Sequence, residues 1–144
     1  MVMKNNNIVV HTDGGSRGNP GPAASAFIIE QGDNVLKESA KYLGKVTNNI
    51  AEYNGVILAL QWLNENKEKL KLSNKQITFI LDSELVVKQI NGLYRVKDET
   101  LRMLFYKVLD LIKHSGSNII FKHVLRAENK IADLLVNQEL DANV

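Results

Sequence analysis

Hydrophobic positions in the first third of the chain form short runs, and the period of the pattern changes afterwards. The runs over residues 8–13, 23–30 and 35–43 are apolar or β-branched and are separated by turn residues. They predict three consecutive strands that pair as an antiparallel meander. Over residues 49–67 the apolar side chains recur at spacings of three and four. This period predicts an amphipathic helix.

The second half of the chain alternates strands and helices. Residues 76–81 and 118–125 are strand-like runs. Helical patterns capped by Ser83 and Asp98 continue to residues 90 and 112, and a last one covers 127–140. The order βββ-α-β-α-α-β-α predicts an α/β fold. We expect a five-stranded mixed sheet, antiparallel through its first three strands and parallel for the last two, flanked by about four helices.

Length and composition predict an ordinary single domain spanning positions 1–144, because 144 residues bury one core but not two. The absence of cysteine excludes disulfides and thiolate metal sites. The start "MVMKNNNIVV" lacks the features of a signal peptide, and no run approaches membrane-spanning length. We therefore expect a cytoplasmic protein without membrane contact. The net charge of +2 is too small to identify a partner.

Four acidic residues occupy positions where a site could form. Asp13 and Asp82 follow apolar strands, at the edge where open α/β sheets bind ligands. Glu52 and Asp133 lie at the margins of apolar helix faces, where an unpaired carboxylate loses solvation. A turn or capping role remains open for each aspartate that follows a strand, and complementation of the helix dipole remains open for Glu52.

If these acids converge, their mutual repulsion requires cations. Mg²⁺ with oxygen ligands fits an all-carboxylate set best. Zinc is a poor candidate because the chain has no cysteine and its three histidines are scattered. A pair of Mg²⁺ ions about 4 Å apart could activate water and stabilise the leaving oxygen of a phosphodiester.

Four segments carry a family resemblance in order and spacing: "HTDGGSRGNPGPAASAF", "VTNNIAEYNGVILAL", "ITFILDSELVVKQI" and "ENKIADLLVN". Over residues 9–140 the chain resembles type 1 ribonuclease H. The resemblance implies a five-stranded ribonuclease H-like fold. It also implies metal-dependent endonucleolytic hydrolysis of the RNA strand in RNA–DNA hybrids, which leaves 5′-phosphate and 3′-hydroxyl ends.

The motif match identifies the residues that the family would use for chemistry. Asp13, Glu52, Asp82 and Asp133 are similar to its four catalytic, metal-binding carboxylates. The resemblance implies two Mg²⁺ ions in each site, with Mn²⁺ as an alternative ion.

The resemblance also implies contacts with the hybrid. Gly14 and Gly15 lack a Cβ, so we expect nucleic acid to approach their backbone closely. The segment 47–49 and Asn19 are expected to contact the nucleic-acid backbone and the 2′-hydroxyl, which distinguishes RNA from DNA. A helix cap stays open as the role of Asn48 or Asn49. The full set of expected substrate-binding residues is Gly14, Gly15, Ser16, Asn19, Thr47, Asn48, Asn49, Ser83, Tyr94 and Lys97.

Two departures from the family pattern affect substrate binding and turnover. Many relatives carry a basic protrusion where this chain has "NGLYRVKDE", residues 91–99. Tyr94 and Lys97 are expected to contact the DNA strand there, with plain surface residues as the alternative. The mobile histidine of many relatives has two candidates in this chain. His123 also fits a strand residue, and we favour Arg126 as a fixed cation that orients the scissile phosphate or helps product and metal leave.

Other functions stay open beside hybrid cleavage. The shortened connection fits an enzyme of broader preference that also accepts double-stranded RNA or RNA–DNA junctions. A non-catalytic hybrid-binding module would normally have lost a carboxylate, and all four are present. We expect a monomer without an additional hybrid-binding domain.

Overall fold

The computed structural model describes residues 7–144, and its elements follow the predicted order. The strands are β1 (Ile8–Ser16), β2 (Gly21–Gln31), β3 (Asn34–Val46), β4 (Gln76–Leu81) and β5 (Asn118–His123). The α-helices are α1 (Asn48–Glu65), α2 (Lys67–Leu70), α3 (Glu84–Ile90), α4 (Glu99–Ser115) and α5 (Lys130–Asn143). Short 3₁₀ helices cover Leu72–Asn74 and Arg126–Glu128.

The five strands form one mixed sheet in the order β3-β2-β1-β4-β5. The pairs β1–β2 and β2–β3 are antiparallel, whereas β1–β4 and β4–β5 are parallel. The predicted fold class is therefore confirmed. The helix beyond the four expected ones is the four-residue α2, which lies in the polar segment after α1.

The main core lies between the sheet and α1, α3 and α4. The apolar face predicted for α1 is buried, including Tyr53, Val56 and Leu60. Helix α5 packs on the sheet through a second, smaller cluster in which Val136 and Leu140 contact Ala24 and Ala26. Small side chains on β2 let this helix lie close to the sheet.

The first strand is longer than predicted. We expected the strand to end at Asp13, but β1 continues through Gly14 and Gly15 to Ser16 and pairs with β2 along this whole length. The backbone hydrogen bonds of an antiparallel partner outweigh the low strand propensity of two glycines. Asp13 therefore lies within a paired strand.

The last helix starts later than predicted. The segment that begins at Ala127 was expected to be helical, but a 3₁₀ turn comes first and α5 starts at Lys130. Asn129 separates the two elements with a backbone φ of −125° and ψ of 36°. Strand β5 likewise ends at His123, two residues before its predicted end.

None of the helices within residues 7–144 has the length and apolar character needed to cross a bilayer. The prediction about a signal peptide concerns a stretch whose residues 1–6 lie outside the described part of the chain.

Candidate active site

The strand register brings Asp13 and Asp82 to the same place. The parallel pairing of β1 with β4 ends at His11 opposite Ile80. Two residues further along each strand, the same register puts Asp13 opposite Asp82. Pairing partners present their side chains to the same face of a sheet, so both carboxyls point the same way. Strand β1 stays paired with β2 beyond this point while β4 ends at Leu81, which opens a crevice at the carboxyl edge.

Glu52 reaches this crevice because α1 lies against the backbone of β1. A Cβ built on Gly14 would lie 2.2 Å from the carbonyl carbon of Ala51, so only glycine permits this contact. The N–H of Gly14 donates a hydrogen bond to Oε1 of Glu52. We expected the missing Cβ of Gly14 to admit nucleic acid. The structure corrects this explanation, because the space is filled by α1.

Two further residues of this contact were missed from the sequence. A Cβ on Gly55, one turn after Glu52, would lie 2.9 Å from the carbonyl oxygen of Asp13. The buried hydroxyl of Ser25 donates to the carbonyl oxygen of Ala51 at 2.5 Å. A glycine inside a helix costs about 1 kcal/mol relative to alanine, so its presence signals a packing requirement.

Asp13, Glu52 and Asp82 form the acidic trio, in which one carboxylate oxygen of each residue lies within 4.8 Å of the others. Burial, followed by the charge of Asp82, raises the pKa of Asp13 to about 7. Burial and the neighbouring Asp13 raise the pKa of Glu52 well above its ordinary value. Burial also raises the pKa of Asp82, and the Asn129 amide and the Arg126 guanidinium oppose that rise. Crowded carboxyls of this kind become fully ionised when a cation compensates them.

The donor set of the trio fits a hard divalent cation. Its ligand atoms are all carboxylate oxygens, the type that Mg²⁺ prefers. One of them, Oδ2 of Asp82, is buried and has no hydrogen-bond partner among residues 7–144. A buried acceptor without a partner is costly, and coordination to a cation would satisfy it.

Asp133 stands apart from the trio but lines the same cleft. Its Oδ1 accepts a hydrogen bond of 3.1 Å from the guanidinium of Arg126, whose side chain is 77% exposed. The Asp133 carboxylate contributes to the raised pKa values of both Asp13 and Asp82. Asp133 is therefore electrostatically linked to the trio. It is also paired with Arg126, the residue that we favoured over His123 as the cation for the scissile phosphate.

The cleft has a volume of about 450 Å³ and extends from the trio to the turn after β1. Its lining includes six of the expected substrate-binding residues as well as the four acids and Arg126. These six are Gly14, Gly15, Ser16, Asn48, Asn49 and Ser83.

The turn after β1 is bound to the start of α1 by side-chain amides. Oδ1 of Asn48 accepts a hydrogen bond of 2.8 Å from the N–H of Ser16. Oδ1 of Asn19 accepts one of 3.0 Å from the N–H of Asn48. The cap of α1 is Thr47, whose hydroxyl accepts from the N–H of Ile50, so neither Asn48 nor Asn49 is the cap. Both amides that accept through oxygen keep an NH₂ group available for other acceptors.

Ser83 lines the cleft and also caps α3, because its hydroxyl accepts a hydrogen bond from the N–H of Val86. Three other predicted residues lie in separate places. Tyr94 lines a second cleft beside α4, where the ammonium of Lys88 lies 5.0 Å from its ring centre. Lys97 is exposed. His123 is exposed at the end of β5.

Arg17 is a cleft residue that the sequence did not indicate. Its guanidinium donates to Oδ1 of Asp141 at 2.6 Å and thereby joins the turn after β1 to α5. The sequence feature that could have identified Arg17 is its position as a basic residue in a glycine-rich turn.

The fold and the acidic cleft define a ribonuclease H-like domain, and comparisons with known proteins agree. A family model described as "Reverse transcriptase-like" matches residues 11–139. The "Bifunctional protein Rv2228c" of Mycobacterium tuberculosis is 38% identical over 137 residues, which cover 94% of this chain and 36% of the relative. The "Ribonuclease HI" of Halobacterium salinarum is 37% identical over 130 residues, which cover 90% of this chain and 62% of the relative.

A solved structure gives the same assignment. The crystal structure of LC11-RNase H1 in complex with RNA/DNA hybrid has a TM-score of 0.88 and 40% identity, over 94% of this chain and 98% of that one. The chain therefore belongs to the type 1 ribonuclease H family. It spans 36% and 62% of the length of the two curated relatives above.

Proposed function

We propose that this domain is a ribonuclease H, an endonuclease that hydrolyses the RNA strand of RNA–DNA hybrids with divalent metal ions. The observation that carries the proposal is the acidic trio, in which three elements far apart in sequence bring carboxylate oxygens within 4.8 Å of one another. The family membership supports it, since a relative of 40% identity has been crystallised with RNA/DNA hybrid.

The proposed metal ligands are the acidic trio and Asp133. Two Mg²⁺ ions, or Mn²⁺ in their place, would supply an activated water and would neutralise charge on the leaving 3′ oxygen. The expected products are a 5′-phosphate and a 3′-hydroxyl.

The residues of the chain have distinct proposed roles around these ions. The backbone of Gly14 orients the carboxylate of Glu52 by hydrogen bonding. Arg126, which is exposed and paired with Asp133, is the proposed cation for the scissile phosphate and for product release. The free NH₂ groups of Asn19 and Asn48 are suited to donate to 2′-hydroxyl or base oxygens in the minor groove.

A cleavage assay tests the proposal directly. Labelled RNA–DNA hybrid, double-stranded RNA, an RNA–DNA junction and double-stranded DNA are each incubated with Mg²⁺, Mn²⁺ or EDTA. We expect cleavage of the RNA strand in the hybrid with either metal and none with EDTA. Extension of the cut RNA by a polymerase reports a 3′-hydroxyl end.

The alternatives give different results in the same assay. Cleavage of double-stranded RNA or of the junction at a rate similar to that of the hybrid would indicate broader preference. Hybrid binding without cleavage in either metal would identify a binding module and would refute the proposal. The monomeric state, the cytoplasmic location and the single domain over residues 1–144 remain predictions.

A further inference from the structure

A buried asparagine joins the separate parts of the cleft. Asn129 is 1% exposed and lies between the 3₁₀ turn Arg126–Glu128 and α5. Its Nδ2 donates a hydrogen bond of 2.8 Å to the carbonyl oxygen of Thr12 in β1. Its Oδ1 lies 3.0 Å from Nδ1 of His11 in the same strand.

These two contacts fix the orientation of the amide and the tautomer of the imidazole. The carbonyl oxygen of Thr12 can only accept, so the NH₂ group of Asn129 must face it. The amide oxygen then faces His11, and an oxygen there can only accept. Nδ1 of His11 must therefore carry a hydrogen and donate it. A flipped amide would lose both hydrogen bonds.

The main chain of Asn129 forms hydrogen bonds with both residues of the ion pair, Arg126 and Asp133. Its N–H donates to the carbonyl oxygen of Arg126 at 3.0 Å, and its carbonyl oxygen accepts from the N–H of Asp133 at 3.2 Å. Arg126 and Asp133 are therefore both connected to β1 through this one residue.

His11 is an unexpected residue for its position. On the sheet it is flanked by Ile28 of β2 and Ile80 of β4, where an apolar side chain would continue the pattern. A half-buried imidazole loses hydration unless it finds a partner, and the partner here is Asn129.

We propose that His11 is a positioning residue, whose Nδ1–H holds the Asn129 amide in one orientation so that Asn129 keeps Asp133 and Arg126 in place beside the metal site. The effect on metal binding rests on the proposed function, whereas the hydrogen bond between His11 and Asn129 does not. Because the first test uses neither nucleic acid nor metal, the hydrogen bond and the proposed function can fail separately.

The first test uses the unmodified protein. A long-range ¹⁵N–¹H spectrum at about pH 8, where an ordinary imidazole is neutral, reports which ring nitrogen carries the hydrogen. We expect the Nδ1–H tautomer for His11 and slow hydrogen exchange of the Asn129 side-chain NH₂. An Nε2–H tautomer with an unprotonated Nδ1 would overturn the proposal, because that nitrogen could not donate.

The second test compares variants by NMR titration with Mg²⁺ alone. His11→Phe removes the donor with little change in size, and His11→Asn restores an N–H close to the place of Nδ1. We expect His11→Phe to weaken Mg²⁺ binding about tenfold, the loss typical when an outer partner of a metal ligand is removed. We expect His11→Asn to restore most of the affinity and the slow exchange of Asn129. His114→Phe, at the exposed end of α4, is the control and should match the wild type.

The outcomes separate positioning from packing. If His11→Phe does not fold, His11→Ala replaces it, since alanine introduces no clash. Mg²⁺ affinity within about twofold of wild type in the folded variant that lacks the donor would refute the proposal, given the tenfold scale for such partners. Wild-type protein that binds no Mg²⁺ would instead refute the proposed function, and the tautomer would still decide the hydrogen bond.

Discussion

The two halves of the cleft differ in how their charged side chains are held. The acidic trio is buried or half-buried, and strand register and a glycine contact between α1 and β1 determine its geometry. Asp133 and Arg126 lie on α5 and on a short 3₁₀ turn, and their ion pair joins an exposed guanidinium to a half-buried carboxylate. Mutual repulsion is strongest within the trio, whereas the Arg126 guanidinium compensates the charge of Asp133.

The two parts of the cleft should therefore respond differently to substitution. Carboxyls held by central elements cannot move apart to relieve repulsion, so either protonation or a bound cation has to relieve it. An exposed pair can separate at small cost, because surface ion pairs contribute about 0–1 kcal/mol. We therefore expect substitutions in the trio to abolish activity and to stabilise the metal-free protein, and substitution of Arg126 to lower the rate with little effect on stability.

The largest expected effect is that of Asp13→Asn. Cleavage should fall at least about a thousandfold, since a proposed ligand of the catalytic metals is lost. The metal-free variant should be more stable than wild type by about 1–3 kcal/mol, because a carboxyl with a pKa raised to about 7 is destabilising when ionised. Single-turnover kinetics and urea unfolding at pH 8 measure the two effects. Asp110→Asn, at an exposed position on α4, is the control. Retained cleavage would contradict the assignment.

The next expected effect concerns the contact that brings Glu52 into the trio. Gly14→Ala places a Cβ 2.2 Å from the backbone of Ala51 and should destabilise the protein by about 3 kcal/mol or more. Gly15→Ala is the matched control, because its Cβ would meet Val136 at an ordinary 3.8 Å. Thermal unfolding of both variants measures the difference. Equal stability of the two would show that α1 does not depend on a close approach to β1.

The stability of the metal-free protein and its affinity for Mg²⁺ should change in opposite directions with pH. Between the ordinary carboxyl pKa of about 4 and the raised value of about 7 for Asp13, the folded protein binds more protons than the unfolded chain. Stability in EDTA should therefore rise as the pH falls from 8 towards 5. Mg²⁺ competes with these protons, so its affinity should fall over the same range. Calorimetry of wild type and Asp13→Asn isolates this contribution. An equal pH slope in the two proteins would contradict it.

The smallest expected effect is that of Arg126→Ala. Turnover should fall about tenfold with little change in hybrid affinity, since a fixed cation near the phosphate is lost. The free energy of unfolding should change by less than about 0.5 kcal/mol, as for other exposed pairs. His123→Ala should have a weaker effect on turnover. A larger loss of affinity than of turnover would show that Arg126 is a phosphate-binding residue alone.

The elements and the acidic residues were accessible from the sequence because both leave local signals. Strand and helix periods, the caps Ser83 and Asp98, and the acids after apolar runs can be found without knowledge of distant contacts. The family resemblance added the shared role of these four acids as metal ligands.

The sequence could not give features that depend on tertiary neighbours. The extension of β1 through Gly14 depends on pairing with β2, and the true reason for that glycine is the approach of α1. The late start of α5 depends on Asn129, whose side chain binds β1 more than a hundred residues away in sequence. Local propensity carries no information about such contacts.

Binding of divalent cations by the acidic trio can be observed by anomalous diffraction from crystals grown with Mn²⁺. We expect a Mn²⁺ peak in contact with oxygens of Asp13, Glu52 and Asp82, and no such peak in crystals of Asp13→Asn. Well-ordered wild-type crystals with Mn²⁺ bound elsewhere and none at the trio would contradict it.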